Sequence, residues 1–515
     1  MSESGQRAHP QVDRDPRRWW ALVALSLAVL LVAVDNTILA LAIPSLAEDL
    51  SPTPTELLWI GDIYSFVLAG LLVTMGNVGD RVGRKKLLMI GLVGFAVVSV
   101  IAAFSPTAEA LIASRALLGV AGATLMPSTL SLIRNTFLDA RERTFAISVW
   151  SAVAAAGGGL GPLIGGVLLE HFWWGSVFLV NVPIVLVIIG IGAWALRDSK
   201  NPNPGPIDIP SVVLSMVGIL GTIAGIKDIA IHGFDDPFPF AYLAIGLFAC
   251  YLFVRRQLKL ESPLIDMKLF KIPAFSGAVG ADLISVFGLM GVYFFLAQQF
   301  QLVQGESPLQ SGFQLLPAEL AALAGALVAA RIIRRFGRRA AIVGGISLGA
   351  LGLLGLGVIH LEGNLLVITA MVFVGAGFGC SLTATADAIL AAAPPERAGA
   401  AGAVSETAYE LGAALGIAIL GSILGAWYRH VVEIPPGLPA DASAAVEESL
   451  SSAVEVAQTI PASVAEQVLA ASRIAFTDAL SVTCLVAGVI CAFAAYVALR
   501  VLPTKANEVE PVGDH

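Results

Sequence analysis

Charge is what this chain has least of. Of its 515 residues, 13% are Asp, Glu, Lys or Arg, against about 25% in a soluble globular protein. That excludes an ordinary water-soluble domain. Cysteine is scarce too: Cys250, Cys380, Cys484 and Cys491 lie within or beside apolar runs, where they read as small buried hydrophobes and not as a disulfide framework. The six histidines are scattered and share no metal-ligand spacing. No G-x-x-x-x-G-K-[ST] loop is present, which excludes a nucleotide-driven motor within the chain. No nucleophile–base constellation appears, so neither enzyme chemistry nor a cofactor is expected. The formal charge of −8 says little about partners, because the signs are sorted by location, and no nucleic-acid partner is expected.

Long apolar runs are what it has instead. Fourteen follow one another, at roughly 20–43, 57–78, 86–104, 108–133, 143–169, 176–196, 209–227, 238–254, 274–300, 309–330, 340–359, 365–391, 399–427 and 475–500. About 20 residues at 1.5 Å each cross the hydrocarbon core, so each run is a candidate membrane helix. The run from Trp19 to Ile43 is too long for the apolar region of a signal peptide, and thirteen more follow it. An all-α integral membrane protein in a lipid bilayer is therefore expected.

Orientation follows from Lys and Arg. With the N-terminus in the cytoplasm, 26 of the 30 fall in inner segments: 7–18, 81–86, 134–143, 197–200, 255–271, 331–339, 397 and 500–505. Lys227, Arg429 and Arg473 fall outside, and Arg115 lies within a span. Both termini are thus expected in the cytoplasm, with the chain in a bacterial inner membrane. One outer connection is long, 428–474. Its apolar period near 3.6 predicts two amphipathic helices on either side of Pro461, forming an extracellular hairpin or else a plain solvated loop.

The chain also repeats itself weakly. Gly76-Asn-Val-Gly-Asp-Arg-Val-Gly-Arg-Lys-Lys follows span 2, and Arg331-Ile-Ile-Arg-Arg-Phe-Gly-Arg-Arg follows span 10. With spans 7 and 8 as an insert, spans 1–6 and 9–14 become equivalent halves, the plan of many secondary transporters. The expected division is a tail 1–18, a first half 19–196, linkers and inserted helices 197–273, a second half 274–500 and a tail 501–515.

Buried carboxylates are the candidate working parts, because a charge inside a span is costly to keep. Asp35 lies ~22 Å from the inner surface at 1.5 Å per residue. Asp62 and Arg115 lie in the same outer half, so Asp35 and Asp62 are the available partners of Arg115. Protonation of the carboxylate would loosen such a pair and its loss would restore it, a minimal proton switch; a static structural ion pair is the alternative. In the second half, Glu406 and Glu410 share a helix face, with Tyr409 beside them. Glu319 lies ~15 Å down span 10 and Asp282 ~12 Å up span 9. Central acids without a buried Lys or Arg suit a lipophilic cation or a proton. Trp59, Tyr64, Phe287, Tyr293 and Tyr409 are candidate aromatic walls for an organic cation. Asp387 and Asp478, near span ends, read as interfacial.

Several motifs together resemble the major facilitator superfamily, and within it the 14-helix drug:proton antiporters, above all the exporters of quaternary ammonium compounds. They are Gly76-x-x-x-Asp80-Arg81-x-Gly83-Arg84-Lys85-Lys86, Arg115 in its span 4 setting, Gly157-x-x-x-Gly161-Pro162-x-x-Gly165-Gly166, Asp35-Asn-Thr-Ile-Leu-Ala-Leu-Ala-Ile-Pro44, Trp59-Ile-Gly-Asp62-Ile-Tyr64, and Asn181-Val-Pro183. The resemblance implies a major facilitator fold. It implies a gate latch at Gly76, Asp80, Arg81, Gly83 and Arg84, and an antiporter hinge between halves at Gly157, Gly161, Pro162, Gly165 and Gly166. Asp35, Asp62 and Arg115 would couple protons. Glu406, with Glu410, Tyr409, Glu319, Asp282, Trp59 and Tyr64, would bind substrate. The pattern departs at span 10, where Ala322 stands in place of the relatives' aspartate and Glu319 comes one turn earlier, and at span 13, where Ser405 precedes Glu406. The expected function is export of hydrophobic cations, such as quaternary ammonium compounds, dyes and antibiotics, in exchange for protons, by a monomer. The rivals are a dedicated exporter of one metabolite, lipid or self-made antibiotic, and a non-transporting receptor or scaffold. Transport in proteoliposomes separates the last from the others.

Overall fold

The computed structural model describes residues 16–504 except 51, 201–207, 233–236, 261–262, 360–364, 395–396 and 437. Most of both expected tails lies outside the described residues. Among the described residues fourteen helices are long and apolar enough to cross a membrane. They are α1 (Arg18–Leu50), α2 (Pro54–Val82), α3 (Arg84–Ala103), α4 (Ala108–Thr136), α5 (Ala140–His171), α6 (Asn181–Ala195, after the short turn Ser176–Leu179), α7 (Ile209–His232), α8 (Phe238–Gln257), α9 (Pro273–Gln298), α10 (Pro308–Phe336), α11 (Arg338–Val358), α12 (Leu365–Ala392), α13 (Ala398–Val431) and α14 (Ala462–Val501). A helix satisfies its own backbone hydrogen bonds, which is what lipid demands of a spanning segment.

The internal repeat is visible in how equivalent helices start and stop. Helix α2 opens with a capping box, Thr53 with Glu56, and Pro54 in its first turn. Helix α10 opens the same way, with Ser307, Gln310 and Pro308. Both boxes occupy amide groups that a helix start otherwise leaves unpaired. Each helix then ends on a glycine in left-handed conformation, Gly83 (φ 115) and Gly337 (φ 88). An arginine begins the next helix in both cases. Only glycine takes such φ values without strain, so both tight turns depend on it.

Helices α1–α6 form one half and α9–α14 the other. They meet where α5 lies on α10 and where α2 and α4 lie on α13. The inserted pair α7–α8 packs through α7 onto both α2 and α13. Within that pair small residues let the backbones touch: a Cβ on Gly246 would sit 2.3 Å from the Thr222 nitrogen.

Two expectations change. The second amphipathic helix of the 428–474 connection is not a separate element. It is the first part of α14, which runs unbroken from Ala462 to Val501. Pro461 precedes the helix, and no glycine or proline follows to end it before the membrane. The first predicted helix is divided into Ala440–Glu448 and Leu450–Ala457, with Ser449 extended between them. Val446, Ala453 and Val468 form a small apolar cluster there, and the Tyr428 hydroxyl donates to the Val446 carbonyl at 3.0 Å.

The glycine stripe of α5 also faces another way than expected. A Cβ on Gly157 would lie 2.6 Å from Ala33 Cβ, on Gly161 1.9 Å from Thr37 Oγ1, and on Gly165 2.8 Å from Ile38 Cγ1. The stripe therefore packs α5 onto α1 inside one half, and not across the halves; Gly166 has open space beside it. Neighbouring Gly158 and Gly159 face Glu319 of the other half. Overpacking a close-packed contact costs about 1–3 kcal/mol. Gly161→Val is thus expected to lower the melting temperature in detergent by several degrees, read by thermal unfolding, whereas Gly166→Ala leaves it unchanged.

Candidate functional site

The turns at Gly83 and Gly337 lie at one end of the bundle, here the basic face. Away from it, the first half buries an ion pair. Asp35 on α1 and Arg115 on α4 are 1% and 0% exposed. Arg115 Nη1 donates to Asp35 Oδ2 at 3.1 Å, and its Nε donates to the Ile60 carbonyl on α2 at 3.2 Å. The guanidinium lies 4.6 Å from the centre of the Tyr64 ring, an electrostatically favourable cation–π placement. Asn181 at the start of α6 donates Nδ2 to Asp35 Oδ1 at 2.7 Å and contacts Ser99 Oγ at 3.2 Å. Four helices besides α1 thereby hold one carboxylate and its counter-ion. Of the two expected partners, Asp35 makes this pair; Asp62 sits half-buried on α2. A buried pair costs little when it is complete but leaves an uncompensated charge when one member goes. The arrangement can therefore respond sharply to a single proton.

The second half gathers its acids around Tyr409. Glu406 is 6% exposed on α13, Glu410 is one turn further along, and Tyr409 interacts electrostatically with Glu410, Glu406, Glu319 and Asp282. Asp282 on α9 is held by hydroxyls, Thr385 at 2.6 Å and Ser405 at 3.3 Å. Glu319 on α10 reaches the interface between halves, where a Cβ on Gly158 would lie 4.0 Å from its Oε1. Among the described residues, neither Glu406 nor Glu319 has a hydrogen-bonding or ionic partner. Glu410 also acts electrostatically on Tyr64, which links this cluster to the ion pair of the other half.

The aromatic candidates divide. Tyr64 packs on Arg115, so it belongs to the ion pair more than to a cavity wall. Trp59 is 45% exposed, edge-on to Phe66 with ring centres 6.2 Å apart. Phe287 is buried against Gly416. The Tyr293 hydroxyl is buried without a hydrogen-bond partner and interacts electrostatically with Glu319.

At the basic face the halves are joined. Asp80 on α2 accepts from Arg84 Nε at 2.8 Å and from the Gly399 amide at the start of α13 at 3.2 Å. A carboxylate at a helix N-terminus is favoured by the exposed amides and the helix dipole. A Cβ on Gly76 would lie 2.6 Å from the Gly399 carbonyl oxygen, so both glycines permit the approach. Arg81 Nε donates to Asn77 at 2.7 Å. Arg134 donates to the Ala393 carbonyl. Asp387 lies near the end of its span, as expected, but it is fully buried, 2.7 Å from Arg338 and 2.9 Å from Thr144 of the opposite half, which its position near a span end did not announce. Its sequence signal was the same as that of the other acids, a carboxylate in an apolar helix. Asn181 is the other residue whose contact with Asp35 no spacing announces. Among the described residues no group of three or more His, Cys, Asp or Glu is placed to hold a metal ion.

A family model described as the Major Facilitator Superfamily matches residues 25–417. The multidrug efflux pump LfrA of Mycolicibacterium smegmatis is 46% identical over 492 residues, 95% of this chain and 97% of the relative. The methyl viologen resistance protein SmvA of Salmonella typhimurium is 39% identical over 462 residues, 89% and 93% of the two chains. Among solved structures, the crystal structure of the human organic anion transporter MFSD10 (TETRAN) covers 93% of this chain and all of that one, with TM-score 0.60 at 15% identity, a likeness of fold.

Proposed function

Because the chain belongs to the major facilitator superfamily, we propose that it is a proton-coupled efflux antiporter for hydrophobic cations, and not an enzyme. The single observation that carries this reading is the pairing of two kinds of buried acid. Asp35 has a dedicated counter-ion; Glu406 and Glu319 are central carboxylates with no partner among the described residues. Support also comes from relatives named as a multidrug efflux pump and a methyl viologen resistance protein, methyl viologen being an organic dication.

The basic face is cytoplasmic by the positive-inside rule, with residues 1–18 and 501–515 on that side and the 432–461 connection outside. The conformation described here, joined at that face, is then the outward-facing one. A proton arriving from outside neutralises Asp35 and loosens its hold on Arg115. Movement of one half against the other then opens the cytoplasmic face. A cation entering from the cytoplasm finds its counter-charge in Glu406 and Glu319, with Glu410 and Asp282 nearby and Tyr409 against it. Proton release inside restores the Asp35–Arg115 pair. Each proton moved inward supplies about 2.3 kcal/mol per 100 mV of membrane potential. One chain contains both halves, so a monomer is the working unit.

The test is dye export from inverted vesicles under an imposed pH gradient, across a panel of cations and neutral drugs. Uphill movement of cations that stops when the gradient is collapsed is the expected result; movement indifferent to the gradient refutes proton coupling. Asp80→Ala checks the cytoplasmic contact separately. Asp80 holds α13 and touches no central acid, so turnover is expected to fall about tenfold or more while the substrate Kd stays within about twofold, differences of roughly 1.4 and 0.4 kcal/mol. Fluorescent-substrate binding and transport, compared on one preparation, decide; equal losses would remove Asp80 from the gate.

A further inference from the structure

The basic face carries a cavity that the transport cycle does not use. It has a volume of about 650 Å³ and is lined by Ala140, Arg141 and Thr144 of α5 and by Arg331, Ile333, Arg334, Arg335 and Arg338 across the α10–α11 turn. Among the described residues five arginines line it and no carboxylate does. The nearest acids are engaged: Asp387 with Arg338 and Thr144, Glu142 with Arg18 at 3.0 Å, and Asp139 as N-cap of α5. Among the described residues Arg141 and Arg331 have no ion-pair partner. Arg141 and Arg331 belong to opposite halves, and their like charges repel across the hollow unless an anion sits between them.

A second hollow, about 360 Å³, shares Arg141, Arg331 and Arg334 with the first, includes Glu142, whose charge is taken by Arg18, and continues along Trp19, Phe145, Leu327 and Ala330. Trp19 and Phe145 are exposed, with ring centres 5.9 Å apart. The pair of hollows thus has a strongly cationic end at the membrane surface and an apolar end along the helices. A free phosphate would need only the first. Both ends together match an amphiphile with an anionic head.

We propose that this site binds an anionic phospholipid, its phosphate among Arg141, Arg331, Arg334, Arg335 and Arg338 and an acyl chain along Trp19, Phe145 and Leu327. Basic pockets between helices at a membrane surface are built for such headgroups. Arginine suits the phosphate by paired N–H donors. Because α5 and the α10–α11 turn belong to different halves, the lipid bridges them. It offsets repulsion that grows as this face closes, so it favours the conformation joined at the basic face.

The experiment uses the full chain in nanodiscs of mixed phosphatidylglycerol and phosphatidylcholine. Lipid retained on the protein after extraction is counted by mass spectrometry. Retention of phosphatidylglycerol over phosphatidylcholine by about tenfold or more is expected. Arg141→Gln/Arg331→Gln should lose that preference, and Arg255→Gln, an exposed arginine elsewhere on the same face, should keep it. Independently of any arginine variant, tryptophan quenching by brominated phosphatidylglycerol should exceed that by brominated phosphatidylcholine in the wild type. The excess should disappear in Trp19→Phe. Equal retention and equal quenching of the two lipids would overturn the proposal. So would displacement of the retained lipid by soluble inorganic phosphate without loss of Trp19 quenching, which would assign the arginines to a free anion.

Discussion

Asp35→Asn is expected to abolish uphill export. The initial rate of dye movement against its gradient in inverted vesicles should fall to that of vesicles lacking the protein. Downhill equilibration of the same dye, with no pH gradient, should continue. The reason is electrostatic. Asparagine keeps the shape and the contact with Asn181 but cannot take up and release a proton, so Arg115 loses a counter-charge that can be switched. It also leaves Arg115 buried without compensation, a loss of about 3–5 kcal/mol when one member of such a pair is removed. Asp35→Asn/Arg115→Gln removes both charges and avoids that cost. It should therefore fold at least as well as the single variant and be equally uncoupled. If either variant still drives dye uphill at the normal rate, Asp35 is not the coupling site.

The second large effect concerns substrate charge. Glu406→Gln and Glu319→Gln are each expected to weaken binding of organic cations by about tenfold or more, with neutral drugs of similar size within about twofold. A hydrogen bond or contact to a charged group contributes about 1.5–3 kcal/mol, and 1.4 kcal/mol is tenfold in Kd. A cation leaving water needs a counter-charge, and these two carboxylates have none of their own to satisfy. A neutral lipophile needs no counter-charge. Glu410, a turn from Glu406 and in electrostatic contact with it, shares the role, so Glu406→Gln/Glu410→Gln should widen the gap between the two classes. Matched binding and resistance profiles measure it. An equal loss for cations and neutral drugs would assign these acids to proton transfer or to packing.

Much of this was legible in the residues, for reasons that also explain what was not. Fourteen apolar runs became fourteen spanning helices, because length and hydropathy alone decide whether a segment crosses lipid. The repeat was visible at Gly83 and Gly337, since a left-handed turn leaves its mark on the sequence. Depth arithmetic brought Asp35 near Arg115, and the distance bears it out. Rotation about each helix axis was not legible. The lipid side and the packed side of a membrane helix are both apolar, so hydrophobic periodicity does not say which face meets which neighbour. That is why the stripe at Gly157, Gly161 and Gly165 turned out to face α1. Partners distant in sequence were invisible for a related reason. Asp387 looked like a helix-end acid until Arg338 and Thr144, from two other helices, closed around it. The extension of α14 was missed because its amphipathic start and apolar continuation have different periodicities but no break between them.

The most direct test of the account is simultaneous measurement of substrate and proton movement in proteoliposomes holding the purified chain. An organic cation is placed on both sides at equal concentration and a pH gradient is imposed. The cation is expected to accumulate on the acidic side while protons leave that side, both fluxes stopping together when the gradient is collapsed and both vanishing in Asp35→Asn. Cation movement that continues without proton movement, or proton movement indifferent to the cation, would contradict it.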